Sequence, residues 1–387
     1  MRIIGLMSGT SHDGVDIAAA AFDRDGDDLR LTPLGARSLP YDDELQGAIA
    51  GVLPPGGTTI EQVCRLDTLL GKRFADAAAA GVELAGHADL IVSHGQTVFH
   101  WISGGQALGT LQLGAPAWIA ARTGVPVLSD LRGADIAAGG QGAPLVPVFD
   151  ALLLAESGAA RAALNLGGIA NLTVVAPDAA PVGYDIGPAN ALLDAATRRF
   201  YDEPCDVDGR HAARGRVHED LLRLLLAEPF YARPAPKSTG KELFHGGYLT
   251  ARLAELHPAP PPDDVLATLT ELTALIVAAE CDRHDIGEVI AAGGGVRNPV
   301  LMARLREFGG ARWRLRTSDE LGVPVQAKEA YAFALLGWLS WHGLPGALPS
   351  VTGARAAAVL GSWTPGAAPL RLPPPAVTPP RRLRVRA

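Results

Sequence analysis

The chain has 387 residues, of which 48% are hydrophobic, and a formal net charge of −7 at pH 7. This length is enough for two domains with sizeable cores, and the mild acidity excludes nucleic-acid binding driven by overall charge. The apolar runs are too short to cross a bilayer, and the N-terminus lacks the pattern of a signal peptide. Three scattered cysteines fit a reducing compartment and form no zinc pattern. We therefore expect a cytoplasmic globular protein without membrane or nucleic-acid partners.

The first predicted feature is a strand, a glycine turn and a second strand at the N-terminus. Residues 3–7 are apolar, residues 8–11 read SGTS, residues 13–14 close a turn, and residues 15–22 are apolar again. Such a hairpin presents N–H and O–H donors beside a carboxylate, a combination that suits phosphate oxygens and Mg²⁺. Taken alone, the same residues also fit a plain tight turn.

Alternating strand-like and helix-like segments follow this hairpin. The apolar spacing predicts a helix over residues 60–81 and a buried strand over 89–93, which ends in the polar tip SHGQT at 93–97. A further strand over 125–128 leads into a glycine loop at 132–144.

Two more glycine turns occur downstream. Residues 164–173 read LNLGGIANLT, another strand, turn and strand, and residues 289–298 read VIAAGGGVRN, a strand, a triple glycine and a helix start near Pro299. Glycine lets a backbone approach a ligand closely. Three such turns suggest two related halves that clamp one nucleotide. A Rossmann motif fits less well, because the first two turns lead into strands rather than helices.

The remaining segments are mostly helical until the C-terminal tail. Helices are predicted from residue 190, over 268–281 and over 327–341, and the Pro- and Arg-rich stretch from 365 should be extended or disordered. The chain has only four lysines, and Lys237, Lys241 and Lys328 lie in motif-like segments. For each of these, a functional cation and a solvated surface lysine are both open interpretations.

The layout resembles the sugar kinase, hexokinase, actin and Hsp70 superfamily, and eight motifs in order resemble the anhydro-N-acetylmuramic acid kinase family. His12, Ala189 and Asn165 depart from the residues usual in the family or superfamily. The motifs cover most of the chain: MSGTSHDGVD at 7–16, SHGQT at 93–97, SDLR at 129–132 with GGQGAPLVP at 139–147, NLGGIANL at 165–172, DIGPAN at 185–190, PKSTGKE at 236–242, GGGVRN at 293–298 and EAYAF at 329–333.

The resemblance implies an α/β fold of two actin-like (ribonuclease H-like) domains, with mixed sheets flanked by helices and ATP in the interdomain cleft. We assign residues 1–135 to the N-terminal domain, 136–364 to the C-terminal domain and 365–387 to an extended tail. The two halves are expected to close on their ligands.

The resemblance also implies the activity. The family uses ATP and Mg²⁺ to phosphorylate O6 of 1,6-anhydro-N-acetylmuramic acid while water opens the anhydro ring, giving N-acetylmuramic acid 6-phosphate in peptidoglycan recycling. The partners would be the sugar and ATP, and a homodimer is left open. Two alternatives stay open: a kinase for another sugar hydroxyl, and a non-catalytic, nucleotide-gated sugar-binding protein.

The matching motifs assign roles to individual residues. Asp185, expected in a loop before a helix, would be the general base, with Asp13 as the rival base and as a water-mediated metal ligand. The other implied contacts form three groups: ATP phosphates and Mg²⁺ (Gly9, Thr10, Ser11, His12, Asp13, Gly14, Val15, Asp16, Gly168 and Asn171), adenosine (Gly294, Gly295 and Asn298) and sugar (His94, Gln96, Thr97, Arg132 and Glu329).

Structural interpretations remain beside these roles. Asp185 also fits a turn aspartate, His94 a buried and satisfied histidine, Arg132 a structural ion pair and Asn298 a helix N-cap before Pro299. The loop that carries Lys237 and Lys241 would meet phosphate or sugar on closure.

Overall fold

The computed structural model describes residues 1–9, 11–155, 158–240 and 243–386. Strands and helices alternate along these residues, and the predicted α/β class with mixed sheets flanked by helices is confirmed. The strands are β1 (Arg2–Ser8), β2 (Gly14–Asp25), β3 (Asp28–Pro40), β4 (Leu90–Ser103), β5 (Gln106–Leu113), β6 (Val127–Ser129), β7 (Ala160–Leu166), β8 (Ile169–Val175), β9 (Val182–Pro188), β10 (Ile286–Ala292), β11 (Arg314–Thr317), β12 (Ser362–Thr364) and β13 (Arg382–Val385).

The helices agree with the predicted apolar spacing, and the long helices over 60–81, 268–281 and 327–341 are confirmed. They are α1 (Asp43–Val52), α2 (Ile60–Ala85), α3 (Pro116–Thr123), α4 (Gly133–Ala137), α5 (Pro147–Leu154), α6 (Asn190–Tyr201), α7 (Glu219–Leu226), α8 (Gly246–Ala254), α9 (Pro262–Arg283), α10 (Pro299–Gly309), α11 (Lys328–Trp341) and α12 (Pro349–Thr352).

The chain forms two compact units, one of residues 1–155 with 321–387 and one of residues 156–320. The sheet of the first unit has the order β12-β6-β4-β1-β2-β3-β13, with β5 beside β4. β1 and β2 are antiparallel, as are β2 and β3, whereas β1, β4 and β6 are parallel.

The second unit repeats the central part of this topology. Its sheet has the order β11-β10-β7-β8-β9, in which β7, β8 and β9 are antiparallel neighbours and β7, β10 and β11 are parallel. Both units thus contain an antiparallel three-strand meander extended by two parallel strands, the arrangement of a ribonuclease H-like domain. The predicted two related halves are confirmed.

Helices cover both faces of the sheet in the first unit. Along β1, Ile3 belongs to the core packed by α11 and Ile4 to the core packed by α2, and both are fully buried. Because side chains alternate across a strand, burial on both faces makes β1 apolar throughout. At Gly5 the backbone of α11 lies so close that a Cβ would overlap the Ala330 carbonyl oxygen.

The division of the chain differs from the predicted one. Residues 136–155 and 321–364, assigned from the sequence to the C-terminal domain, belong to the first unit. The reason is packing: α5 and α11 share the apolar core of the first sheet with β1 and β4.

Part of the C-terminal tail, which was predicted to be extended, pairs with the first sheet. Residues 382–385 form β13, which pairs in parallel with β3, and Arg382 and Arg384 both form ion pairs with Asp28. The tail therefore covers the edge of the first sheet. In the described part of the chain, none of the helices is both long and apolar enough to span a membrane.

Gly5→Ala should destabilise the first unit. The added methyl group would collide with Ala330 and lie 2.9 Å from the Ala334 nitrogen, so α11 must move away from β1. We expect the free energy of unfolding, measured by urea denaturation, to fall by about 3 kcal/mol. Gly47→Ala in α1 is the control, since nothing lies within 4 Å of its added methyl group. It should stabilise the protein by about 0.5–1 kcal/mol. A loss at Gly5 no larger than the change at Gly47 would contradict the close packing.

Candidate active site

The first glycine turn connects β1 to β2, as predicted, and is held by buried side chains. Ser8 Oγ lies 2.8 Å from the Gly14 carbonyl oxygen and 2.7 Å from Gln96 Oε1, and it accepts a hydrogen bond of 2.9 Å from the Tyr41 hydroxyl. Ser8 and Gln96 are 2% and 0% exposed, so this network lies under the turn rather than at its tip.

Gln96 was predicted to contact sugar, and the structure places its whole amide in the support of the turn. Its Nε2 donates to the Gly9 carbonyl at 3.3 Å and to the Thr97 carbonyl at 3.2 Å, while its Oε1 faces Ser8. The predicted polar tip is also not a strand end, because β4 continues through it to Ser103. Gly95, at φ +72°, and a shift in register absorb the irregularity.

The tip of the first turn carries exposed side-chain oxygens. The Ser11 hydroxyl donates to Asp13 Oδ1 at 2.7 Å, and Asp13 is exposed. Asp16 follows on β2, where burial and the neighbouring Asp13 charge raise the pKa of its carboxyl, against the hydrogen bond from Ser38.

Other predicted contacts of this turn are backbone features. Val15 has its side chain fully buried in the core, so only its main chain can face a ligand. His12 has a left-handed φ of +56°, and a Cβ at Gly14 would lie 2.6 Å from the Leu39 carbonyl oxygen. Thr10 lies outside the described residues.

His94 and Arg132 form a close pair in the first unit. Arg132 Nε and Nη2 lie 2.9 and 2.8 Å from His94 Nε2, and His94 Nδ1 lies 2.8 Å from the Gly95 carbonyl oxygen. Burial and the Arg132 charge lower the pKa of His94 to about 3. The imidazole is therefore neutral at physiological pH, with its proton on Nδ1 and its Nε2 accepting from the guanidinium.

Arg132 is further fixed by the glycine loop that follows it. Its Nη1 donates to the Gly142 carbonyl at 2.7 Å, and burial lowers the pKa of its guanidinium to about 10, which leaves it charged. The buried Asp135 carboxylate holds the loop by accepting from the Gly142 nitrogen at 2.8 Å and from the Thr352 hydroxyl at 2.7 Å. Arg132 is thus anchored by hydrogen bonds to His94 and Gly142, and its contact with sugar stays a prediction.

Glu329 lies in the first turn of α11, beside a buried ion pair. Burial raises the pKa of its carboxyl, against the charges of Lys328 and Arg132. Lys328 itself is bound to Asp150 of α5 at 2.6 Å, and both side chains are buried. Lys328 is thereby a structural cation, whereas Glu329 remains half-buried and able to bind a polar ligand.

In the second unit, a row of polar residues crosses the sheet. Asn165 on β7, Asn171 on β8 and Asp185 on β9 are successive cross-strand partners. Cross-strand partners share one face of a sheet, so the predicted base stands in line with the second glycine turn. Asp185 therefore lies within a strand and not in the predicted loop.

The second glycine turn is bound to the start of α6. The backbone nitrogens of Ala189 and Ala191 each donate to the Gly168 carbonyl at 3.0 Å, and the Asn190 nitrogen donates to the Gly167 carbonyl at 3.0 Å. Gly168, one predicted phosphate contact, thus lies in a turn of fixed geometry, and Asn171, the other, follows it on β8.

The Asp185 carboxylate is held by a segment that sequence reasoning did not connect with it. Its Oδ2 accepts from the Ser238 hydroxyl at 2.8 Å and from the Thr239 nitrogen at 3.0 Å. Sequence reasoning missed Ser238, Thr239 and Tyr41 as supporting residues. The polar run KST at 237–239 was the available signal, but nothing local to it indicates its partner.

The third motif forms the predicted strand, glycine turn and helix. A Cβ at Gly293 would lie 2.6 Å from Asn165 Oδ1, and one at Gly295 would lie 2.7 Å from the Leu166 Cβ. Packing against the end of β7 therefore requires these two glycines. At Gly294 the nearest atom would be 3.9 Å away, which leaves room for a ligand.

Asn298 is the N-cap of α10, as one of its two interpretations predicts. Its Oδ1 accepts from the Val300 and Leu301 nitrogens at 3.0 and 3.1 Å, and Pro299 follows at the first helical position. Its contact with adenosine stays a prediction.

Lys237 does not have the environment expected of a phosphate or sugar ligand. It is 8% exposed, and its Nζ lies 3.2 Å from Glu280 Oε1 and 3.0 Å from the Tyr231 carbonyl oxygen. Lys241 lies outside the described residues.

A magnesium ion is implied by ATP chemistry, and the donor set of the first turn fits it. Among the residues that the structure describes, no group of three or more His, Cys, Asp or Glu side chains is arranged to hold a metal ion. Mg²⁺ commonly takes only one or two carboxylates together with phosphate oxygens and water. The carboxylates of Asp13 and Asp16 meet that requirement.

Comparison with known proteins agrees with the motifs. Residues 1–366 match the family described as "AnmK: Anhydro-N-acetylmuramic acid kinase". An anhydro-N-acetylmuramic acid kinase of Streptomyces coelicolor is 57% identical over 390 residues, covering 100% of this chain and 99% of the relative. The kinase of the same name from Rhodococcus erythropolis is 52% identical over 399 residues, covering 100% of both chains.

These full-length matches leave no place for the alternatives of another sugar kinase or a non-catalytic binding protein. The predicted ATP-dependent anhydro-sugar kinase of peptidoglycan recycling is confirmed. The chain belongs to the anhydro-N-acetylmuramic acid kinase family.

Proposed function

We propose that this chain converts 1,6-anhydro-N-acetylmuramic acid and ATP into N-acetylmuramic acid 6-phosphate, with Asp185 as the general base. Water attacks C1 of the sugar and gives its proton to the Asp185 carboxylate. The bond between C1 and O6 breaks, and O6 takes the γ-phosphoryl group of ATP as the bond from the γ-phosphorus to the bridging oxygen breaks and ADP leaves. One process therefore opens the ring and forms the phosphate ester.

The observation that carries this proposal is the setting of Asp185. Two donors bind one of its oxygens, Ser238 at 2.8 Å and the Thr239 nitrogen at 3.0 Å. Hydrogen bonds to the charged form favour an ionised carboxylate, as a base requires. Its place beside Asn171 also puts the carboxylate in line with the predicted phosphate turn of the same sheet.

The sugar contacts proposed for the first unit are assigned from the charge and hydrogen-bonding groups of its side chains. Arg132 offers a cationic fork for the lactyl carboxylate, and the neutral His94 holds that fork in one orientation. Glu329, whose pKa burial raises, suits the N–H and O–H groups of an amino sugar. Thr97 adds a hydroxyl, which already accepts from Gln112 at 3.0 Å.

For the nucleotide, we propose that the turn residues bind phosphate and that the third motif binds adenosine. Gly9, Thr10, Ser11, His12 and Gly14 supply backbone and hydroxyl donors, joined by Gly168 and Asn171. Asp13, through water, and Asp16 would hold Mg²⁺, which neutralises phosphate charge when bound. Gly294 leaves room for the adenosine, beside Gly295 and Asn298.

The proposal also includes a cellular location and an oligomeric state. A cytoplasmic location follows from the requirement for ATP. A homodimer would cover the exposed side chains of Phe99, Trp101 and Ile102 on β4, which are 49%, 52% and 56% accessible. Light scattering of the purified protein would give its mass in solution.

The coupling of hydrolysis to phosphoryl transfer can be read from oxygen labelling. When the reaction runs in H₂¹⁸O, we expect label on the C1 oxygen and none on the transferred phosphoryl group. Unlabelled product kept in the same water for the same time corrects for exchange at C1. Label in the phosphoryl group would contradict attack of O6 on the γ-phosphorus.

Asp185→Asn should abolish turnover while ligand binding persists. Asparagine keeps the size of the side chain but cannot accept the proton of water, so kcat should fall by at least about 10²–10⁴-fold. Calorimetry should find nearly unchanged affinities for ATP and sugar. Asp13→Asn is the matched control and should instead raise the Mg²⁺ concentration needed for half-maximal rate. If Asp185→Asn keeps more than about a tenth of kcat, Asp13 becomes the better candidate for the base.

Gln96→Leu should separate support of the turn from contact with sugar. Leucine removes the hydrogen bonds to Gly9 and Ser8 that hold the phosphate turn. We therefore expect KM for ATP to rise by about tenfold or more, because one or two buried hydrogen bonds are lost, with a smaller rise in KM for sugar. A larger effect on the sugar would restore the predicted sugar contact. Thr97→Val, which changes the neighbouring side chain, is the control and should affect the sugar more than ATP.

A further inference from the structure

Three consecutive residues bind Asp185 in the second unit. The Asp185 nitrogen donates to the Lys237 carbonyl at 3.1 Å, and the Ser238 hydroxyl and Thr239 nitrogen donate to the carboxylate. We call residues 237–239 the clasp. The clasp therefore contacts both the backbone and the carboxylate of Asp185.

The clasp is anchored by a buried ion pair. The side chains of Lys237 and Glu280 are 3% and 5% exposed, and Lys237 Nζ lies 3.2 Å from Glu280 Oε1. The ammonium also donates to the Tyr231 carbonyl at 3.0 Å and lies 5.1 Å from the centre of the Phe230 ring. These partners surround the ammonium, so its location is fixed.

The Glu280 carboxylate is also hydrogen-bonded to Tyr184, the residue that precedes the proposed base. Glu280 Oε2 accepts from the Tyr184 hydroxyl at 3.0 Å and from Arg283 Nε at 3.1 Å. Glu280 lies on α9, whose apolar residues belong to both cores of this unit. One rigid helix therefore fixes the clasp through Lys237 and fixes β9 through Tyr184.

A stabilising role alone explains this pair poorly. The cost of removing two charges from water often exceeds their attraction, and apolar replacements of buried pairs are frequently neutral or favourable. The pair does define where the clasp lies relative to β9. An error of about 1 Å in the position of a reacting group can lower a rate by about 10²-fold.

We propose that Lys237, held by Glu280, is a positioning residue that keeps Ser238 and Thr239 on the Asp185 carboxylate. The clasp keeps that carboxylate ionised and aimed at the attacking water. This inference rests on the proposed role of Asp185 as the base.

The groups near the Asp185 carboxylate determine how its pKa should change when the clasp donors are lost. They include the Ser238 hydroxyl and the Thr239 amide of the clasp, and the neutral Asn171 is the cross-strand partner on β8. Glu280 compensates the charge of Lys237 and also binds Tyr184 and Arg283. The Tyr184 hydroxyl in turn lies within hydrogen-bond distance of His284. Loss of the clasp donors should therefore raise the pKa of the Asp185 carboxyl.

The test uses the full chain carrying Lys237→Met together with Glu280→Gln. This double variant removes both buried charges and leaves an amide oxygen for Tyr184, so it should fold. We expect kcat to fall at least about tenfold, with KM for ATP and sugar within about threefold of wild type. The acid limb of the kcat–pH profile should move to higher pH by about one unit. Ser238→Ala, at an exposed side chain, should move the acid limb in the same direction.

Arg283→Gln is the matched control, because it removes a half-exposed partner of Glu280 and leaves Lys237 in place. It should keep the wild-type kcat and acid limb. A folded double variant with wild-type kcat and pH profile would overturn the positioning role. If the double variant does not fold, Ser238→Ala decides, and an unchanged acid limb overturns the proposal.

Asp185→Asn, measured beside these variants, separates the positioning role of Lys237 from the proposed role of Asp185 as the base. A collapse of kcat in Asp185→Asn with a wild-type double variant contradicts only the positioning role. Retention of kcat by Asp185→Asn contradicts the proposed base itself.

Discussion

Close approach of backbones at glycine is the constraint on which both units depend. At Gly5, α11 lies directly on β1, which places Glu329 in the same unit as His94 and Arg132. At Gly293 and Gly295, the third motif lies on the end of β7, beside Asn165. A side chain at any of these points would hold two backbones apart. Polar groups carried by those backbones would then shift by amounts that matter for catalysis.

Buried charges provide a second level of order. Lys328 with Asp150, and Lys237 with Glu280, are ion pairs removed from solvent, each located next to a residue with a proposed role. Such pairs add little net stability, but they allow few alternative arrangements. His94 is likewise held in one arrangement, although it carries no charge. Burial and Arg132 keep its ring neutral, and its tautomer is defined. Three of the chain's four lysines lie in motif segments, and the structure assigns two of them to this structural task.

The outcome at individual residues shows where sequence reasoning was reliable. Periodicity predicted α2, α9 and α11, and the glycine turns predicted the hairpins of both units, because these signals are local. The course of β4 past residues 93–97 and the place of Asp185 within β9 differ from prediction. In β4, a left-handed glycine and shifts in register interrupt the regular strand pattern. β9 is a strand because it pairs with β8, and this pairing is not visible in its own sequence. Gln96 was correctly singled out as a polar residue, but its partners come from a segment about ninety residues away.

The sequence by itself determined the long helices, the three glycine turns, the family and, through it, the reaction. These rest on short-range patterns and on ordered motifs, which are present in the chain before it folds. Only the tertiary structure decided that residues 321–387 return to the first unit, that Gln96 supports a turn and that residues 237–239 hold Asp185. The physical reason is that hydrogen bonds and buried ion pairs between distant segments depend on the packing of whole sheets and helices. No local spacing specifies which polar residue will meet which partner.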